Sequence, residues 1–161
     1  GFVDDRSKAL RARAHYKLGE MAQAHGLYAE LCKSQPRDWY CAYMASNTAG
    51  DLVERERFMR DAEAVSPANG VVQVGLANVL GAKGDRVGQV ACLHKAQTML
   101  EAEAEAFPNS TWIYQWLEMV CTALGKSAQA AKYHRLAEQS RSIASSLDTD
   151  HLVAVEKLIL R

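Results

Sequence analysis

Apolar residues recur along this chain at every third or fourth position and rarely alternate, the period of helices that bury one face. Ala12, Ala14 and Leu18 make one such stripe, and Leu76 and Leu80 another. Glycines and prolines punctuate the stripes on a fixed ruler. Gly19 to Pro36, Gly50 to Pro67, Pro67 to Gly84 and Pro108 to Gly125 are each seventeen residues apart, and every proline belongs to the series. A glycine lets the chain leave a helix in the left-handed conformation, and a proline cannot extend the helix before it. Each unit is therefore helix, Gly turn, helix, Pro turn. The spacing predicts nine helices and no strands, at about 7–18, 21–34, 38–48, 51–65, 69–82, 86–106, 109–124, 127–146 and 149–160.

Two intervals break the ruler. Pro36 to Gly50 is fourteen residues, which removes about one turn from the third helix. Gly84 to Pro108 is twenty-four, seven too many. Seven residues are two turns, roughly 10 Å, and keep the same face inward. One long helix from about Val87 to Phe107 is expected to project beyond its neighbours. Its added end, Leu100-Glu101-Ala102-Glu103-Ala104-Glu105-Ala106, reads as a solvated helix end, with an acidic docking site as the alternative. Ser145-Ser146-Leu147-Asp148-Thr149-Asp150 reads as a turn rich in helix-capping residues. The stripe Leu152, Val155, Leu158 and Ile159 then suggests a capping helix, or the first helix of a fifth unit.

The hairpin of 34 residues resembles the tetratricopeptide repeat (TPR). That family places a small residue seven before the turn glycine, where Ala12, Tyr43, Ala77 and Glu118 stand. It places alanine five and twelve after. Those positions hold Ala24, Arg55, Gln89 and Ala130, then Leu31, Ala62, Ala96 and Ala137. Nine after, where an aromatic is preferred, stand Tyr28, Met59, Leu93 and His134. The first unit, with His15-Tyr16-Lys17-Leu18-Gly19-Glu20, fits best; Arg11, Arg55 and Glu118 depart from the pattern. The resemblance spans about residues 7 to 142. It implies an all-α, right-handed α-solenoid of stacked antiparallel helical hairpins with a C-terminal capping helix. That makes one domain over 1–161, with hairpins at about 7–34, 38–65, 69–106 and 109–146 and the cap at about 149–160.

The resemblance also implies a function: a non-catalytic scaffold that binds a peptide or helix of a partner protein in a concave groove lined by the first helix of each hairpin. The groove positions here are Arg6, Arg13, Tyr16 and Lys17, then Tyr40, Met44 and Asn47, then Asn78, then Trp112, Gln115 and Met119. They grade from basic to apolar and amide-bearing. Helical spacing alone also allows Tyr40 and Trp112 to be packing residues. The alternative is an assembly or regulatory domain that uses its convex face or the long third-hairpin helix. Membership of a larger assembly, or a homo-oligomer, fits either reading. A clamp for C-terminal carboxylates is not expected. One register puts Ala9, Arg13, Cys41, Val71 and Gly75 at its positions, the next Tyr40, Met44, Gly75, Trp112 and Trp116. Neither supplies two cations and two amides.

Composition narrows the classes further. A chain of 161 residues can bury a sufficient core without metal or disulfide. Twenty-six alanines against three prolines favour helix. Nineteen Lys and Arg balance nineteen Asp and Glu, so the basic excess of a nucleic-acid or membrane-surface binder is missing. The longest uncharged stretch, Ala64 to Ala82, contains Pro67, Asn69, Gly70, Gln73 and Asn78 and is no membrane span. Cys32, Cys41, Cys92 and Cys121 are scattered without metal-ligand spacing, which favours a reducing, cytoplasmic compartment. The chain opens on Gly1 rather than Met and is expected to be part of a longer protein. No nucleophile elbow, zinc-helix motif or phosphate loop occurs. Cys92 and His94 lie two apart on a helix and diverge. No enzyme activity, cofactor or metal is expected.

Overall fold

The computed structural model describes the backbone of residues 2–159 and the side chains of residues 4–143. Its helices are α1 (Phe2–Lys17), α2 (Met21–Ser34), α3 (Trp39–Thr48), α4 (Leu52–Val65), α5 (Gly70–Ala82), α6 (Arg86–Ala106), α7 (Thr111–Ala123) and α8 (Ser127–Ile159). The described residues contain no strand. The fold is an all-α succession of helical hairpins, as the ruler predicts.

The glycine turns close by a shared geometry. Gly19, Gly84 and Gly125 have φ of 78°, 84° and 72°. The amide after each glycine donates five residues back, Glu20 to His15 O at 2.9 Å, Asp85 to Leu80 O at 2.9 Å and Lys126 to Cys121 O at 2.8 Å. These bonds satisfy carbonyls that the helix itself leaves open. Gly50 is the exception. The second hairpin turns through Ala49, in extended conformation at φ −65° and ψ 144°, and Gly50 is not left-handed. The Asp51 carboxylate then starts α4 by accepting from the Val53 and Glu54 amides, both at 2.9 Å.

The proline turns also repeat. In Gln35-Pro36-Arg37-Asp38, Ser66-Pro67-Ala68-Asn69 and Phe107-Pro108-Asn109-Ser110 the fourth amide donates to the first carbonyl, at 3.1, 3.2 and 3.1 Å. Proline presets the backbone for the second position of such a turn. Asp38 and Asn69 go on to cap α3 and α5, accepting from Tyr40 N at 2.9 Å and Val71 N at 3.0 Å.

The helices form two compact units, Gly1–Met99 and Leu100–Arg161, a division that the single-domain reading of 1–161 does not contain. The boundary falls inside α6. That helix has the 21 residues its long interval predicts, but its end does not stand clear of its neighbours. Leu100 is buried, and the Glu101 carboxylate accepts from the Tyr133 hydroxyl at 2.8 Å.

A second difference concerns the C-terminus. The turn expected at 145–150 before a separate capping helix at 149–160 is absent, because α8 runs unbroken for 33 residues. Serine and aspartate weaken a helix by only tenths of a kcal/mol each, and no glycine or proline intervenes after Gly125. The stripe Leu152, Val155, Leu158 and Ile159 lies outside the described side chains.

Small residues set how closely the helices approach. Leu31, Ala62, Ala96 and Ala137, all twelve residues after a turn glycine, are buried. At Gly75 of α5, a Cβ would meet Met59 Cε at 2.5 Å, Met59 Sδ at 2.7 Å and Tyr43 Cε2 at 3.1 Å. The first unit's core gathers Ala12, Ala24, Tyr28, Leu31, Cys41, Met44, Ala45 and Phe58. In the second unit, Leu117, Val120 and Cys121 are fully buried. Its two departures from the repeat pattern meet each other: His134 Nδ1 lies 3.1 Å from Glu118 Oε1. A polar pair thus occupies the positions that a small residue and an aromatic hold in the first hairpin.

Buried Gln73 donates to Glu63 Oε1 at 2.9 Å, and Arg60 pairs with the other carboxylate oxygen at 2.9 Å. Burial opposes the Glu63 charge, but these two donors outweigh it and hold the pKa below the ordinary value of 4.5. A lowered carboxylate stabilises the fold above the unfolded pKa and loses that effect as pH falls through the folded one.

Two outcomes follow from this packing. Gly75→Ala and Ala62→Leu should each lower stability by about 1–3 kcal/mol through overpacking, read by urea titration with helix content unchanged. Gln73→Leu should cost most stability at neutral pH. Its deficit against the unaltered chain should shrink as the titration is repeated below pH 4.5.

Candidate functional site

In the first unit, α1, α2 and α3 leave a cleft of about 250 Å³ between them. Its floor is Ala9, Tyr28, Leu31 and Cys41, and its rim carries Arg6, Arg13 and Tyr40. Arg6, Ala9, Leu10 and Arg13 share a face of α1 because they are three, four and seven residues apart. Tyr40 follows directly from the cap at Asp38, which fixes the first turn of α3. Tyr40 is 47% exposed and packs edge-on against Trp39, ring centroids 5.9 Å apart.

The cleft wall carries two guanidinium groups and one carboxylate, that of Asp38. Among the described residues, neither Arg6 nor Arg13 has an ion-pair partner. The acids nearby are engaged. Asp38 accepts from Tyr40 N at 2.9 Å and Cys41 Sγ at 3.2 Å, while Asp5 accepts from Ser34 at 3.2 Å and Gln35 at 3.3 Å. Tyr28 is 2% exposed. Burial, with Tyr40 and Cys41 beside it, pushes its phenol up to about 12 against the pull of Arg13. Its hydroxyl stays protonated and is free to donate.

The expected groove residues divide by position. Arg6, Arg13 and Tyr40 meet at this cleft. Met44 does not: it is only 6% exposed and sits in the first unit's core. The shortened α3 lies between α2 and α4 and buries Cys41, Ala42, Met44, Ala45, Ser46 and Thr48, so little of its circumference is left for a ligand. Tyr16 packs half-buried against the same core. Lys17 is exposed at the end of α1. Asn47 is half-buried on α3. Asn78 is exposed on α5, where Val71 and Val74 are buried. Sequence reasoning missed Tyr28 as a cleft residue because its place in the repeat marked it as hairpin packing. It does both.

The second unit brings Trp112, Gln115 and Met119 together with Trp116 around a shallow depression on α7. Trp112 is 49% and Met119 44% exposed, and the Trp112 and Trp116 rings meet edge-on at 6.0 Å. A separate cavity of about 400 Å³ is lined by Glu101, Ala104 and Glu105 from the added turns of α6, with Tyr114, Lys132 and Tyr133. Burial and the bond to Glu101 raise the Tyr133 phenol.

The thiols are set against nucleophilic chemistry. Burial, then Asp61 and Asp38, push Cys32 up to about 11. Burial and the bond to Asp38 push Cys41 up to about 12. Burial also raises Cys92 and Cys121. A reactive cysteine needs the opposite shift. Among the described residues, no three His, Cys, Asp or Glu side chains gather as metal ligands. No helix there is long and apolar enough to cross a membrane.

No protein-family model matches the chain, and no curated protein matches it. Solved structures do. TTC0263, a thermophilic TPR protein of Thermus thermophilus, is similar with a TM-score of 0.63 at 19% identity, over 94% of this chain and 81% of that one. The Yersinia enterocolitica type III secretion translocator chaperone SycD has a TM-score of 0.58 at 17% identity, over 74% of this chain and 92% of its own. MamA has a TM-score of 0.54 at 12% identity, over 88% and 81%. Likeness at these identities establishes the fold, which is that of the tetratricopeptide repeat.

The thiol environments are open to direct measurement. Raising Cys32 from 9.0 to about 11 leaves its thiolate about a hundredfold scarcer at pH 8. Native Cys32 should react with Ellman's reagent correspondingly more slowly than in denaturant, and buried Cys92 and Cys121 more slowly still. Fast native reaction at any of the four would contradict the environments described.

Proposed function

We propose that this chain, with its TPR fold, is a non-catalytic scaffold that holds a peptide or helix of a partner protein against exposed faces of its first helices. The first-unit cleft between α1 and α3 carries the reading. It joins an apolar floor to an exposed aromatic wall and two cations without ion-pair partners among the described residues. Binding surfaces anchor and orient a ligand by that combination. In the second unit, the exposed Trp112 and Met119 on α7, with half-buried Trp116 between them, support it, since clustered large apolar side chains on a surface mark contact sites. A balanced net charge favours a protein over a nucleic acid as partner. The raised thiols suit a reducing compartment such as the cytoplasm.

A second reading, contact through the second helices of the hairpins, draws on one observation. Val53 and Val87, both three residues after a turn glycine, stand exposed at the starts of α4 and α6.

Capture of the native partner by immobilised chain, followed by titration, separates the two. Tyr40→Ala should weaken binding by about 2 kcal/mol, as a central aromatic anchor does, with the circular dichroism spectrum unchanged. Arg13→Glu should mainly slow association, and lose its effect at high salt. If both variants bind normally while Val53→Asp with Val87→Asp abolishes binding, the second reading replaces the first.

A further inference from the structure

We infer that the first-unit cleft selects an acidic amphipathic helix, one that presents an apolar side chain between two carboxylates about two helical turns apart. The inference rests on the scaffold reading above and adds the chemistry of the ligand.

The spacing comes from α1. Arg6 and Arg13 are seven residues apart on one face, roughly 10.5 Å along the axis, with Ala9 and Leu10 between them. A helix lying along α1 meets this pattern with a carboxylate at position i, an apolar residue at i+4 and a carboxylate at i+7, all on one stripe. The apolar side chain enters the cleft over Ala9, Leu31 and Cys41. The two carboxylates reach the guanidinium forks, which match carboxylates in bidentate geometry.

Three further observations set the sign of the ligand's charge. In the lining, Arg6 and Arg13 outnumber the single carboxylate of Asp38, which accepts from the Tyr40 amide and the Cys41 thiol, and Glu30 is paired with Lys8 at 3.0 Å. Lys17 continues the positive row one turn beyond Arg13 and is exposed. At the base of the cleft, the Tyr28 hydroxyl has no hydrogen-bond partner among the described residues and still meets solvent through the cleft. A ligand acceptor reaching the floor would satisfy it. A basic helix would instead meet two guanidinium groups against the one carboxylate of Asp38.

The test uses three fluorescein-labelled, alanine-based helical peptides, with Glu–Leu–Glu, Lys–Leu–Lys or Glu–Ser–Glu at positions i, i+4 and i+7, titrated with the full chain by anisotropy. The Glu–Leu–Glu peptide should bind at least about tenfold more tightly than either other peptide, with the gap over the lysine peptide closing at high salt. In the Arg6→Glu, Arg13→Glu double variant the preference should invert towards Lys–Leu–Lys. Arg13→Gln should weaken the Glu–Leu–Glu peptide without inverting the order. Tyr28→Phe should weaken it severalfold while leaving the salt dependence intact. Both arginines are exposed, and circular dichroism confirms that each variant is folded. Equal binding of the acidic and basic peptides, or an acidic preference that survives the double charge reversal, would overturn the inference. So would concentration-dependent self-association of the chain that Arg13→Glu abolishes, since the occupant would then be a second copy. If the peptides fail while Tyr40→Ala still impairs capture of the native partner, the scaffold reading stands and only the acidic chemistry falls. If Tyr40→Ala and Arg13→Glu both leave that capture intact while Val53→Asp with Val87→Asp abolishes it, the scaffold reading itself has failed.

Discussion

The structure depends on closing backbone hydrogen bonds wherever a helix ends. Each helix leaves terminal carbonyls and amides without partners inside it, and a chain that reverses after every helix meets that cost many times over. Two turn designs meet it here. At Gly19, Gly84 and Gly125 a left-handed glycine lets the next amide reach back five residues. At Pro36, Pro67 and Pro108 a four-residue turn closes on its first carbonyl, and at two of the three its last side chain caps the next helix. With both ends fixed, successive helices are antiparallel and adjacent before any side chain is considered. Packing then decides only how closely they approach.

That approach explains where the candidate site lies. Gly75 brings α5 against Met59 and Tyr43, and α5 is buried along most of its length. Helix α3, one turn short, is nearly as enclosed. Of the first helices in the first unit, only α1 keeps a broad exposed face. The ligand-facing chemistry therefore gathers at α1 and the first turn of α3, and the cleft carries two cations because Arg6 and Arg13, seven residues apart, share one face of α1. The apolar floor comes from the same residues that pack the hairpin. Tyr28 and Leu31 hold α2 against α1 and at the same time floor the cleft.

Departures from the repeat pattern prove coupled rather than random. Glu118 and His134 each break the pattern alone, yet together they form one hydrogen bond between α7 and α8. The seven residues added to α6 bury Leu100, tie Glu101 to Tyr133 and wall a cavity in the second unit. An irregular interval here is a place where the chain supplies a different contact.

Glycine, proline and the 3.6-residue period act locally, so the helices could be read from the chain alone. Six helix ends beside Pro36, Pro67 and Pro108 and the length of α6 were legible for that reason. The row Arg6, Arg13, Lys17 was legible too, since residues seven and eleven apart share a helical face whatever surrounds them. Other features emerged only when the helices packed. Met44 and Tyr40 stand four residues apart on α3 and look equivalent in sequence, but the neighbouring helices bury one and leave the other at the cleft. Gly50 follows the ruler without adopting the glycine conformation, because the shortened α3 ends at Ala49 and turns through extended backbone. The segment at 145–150 is rich in residue types that favour caps, but α8 runs through it because no glycine or proline stops the helix there. Burial and turn choice are set by what lies across the contact, and that partner is far away in the chain.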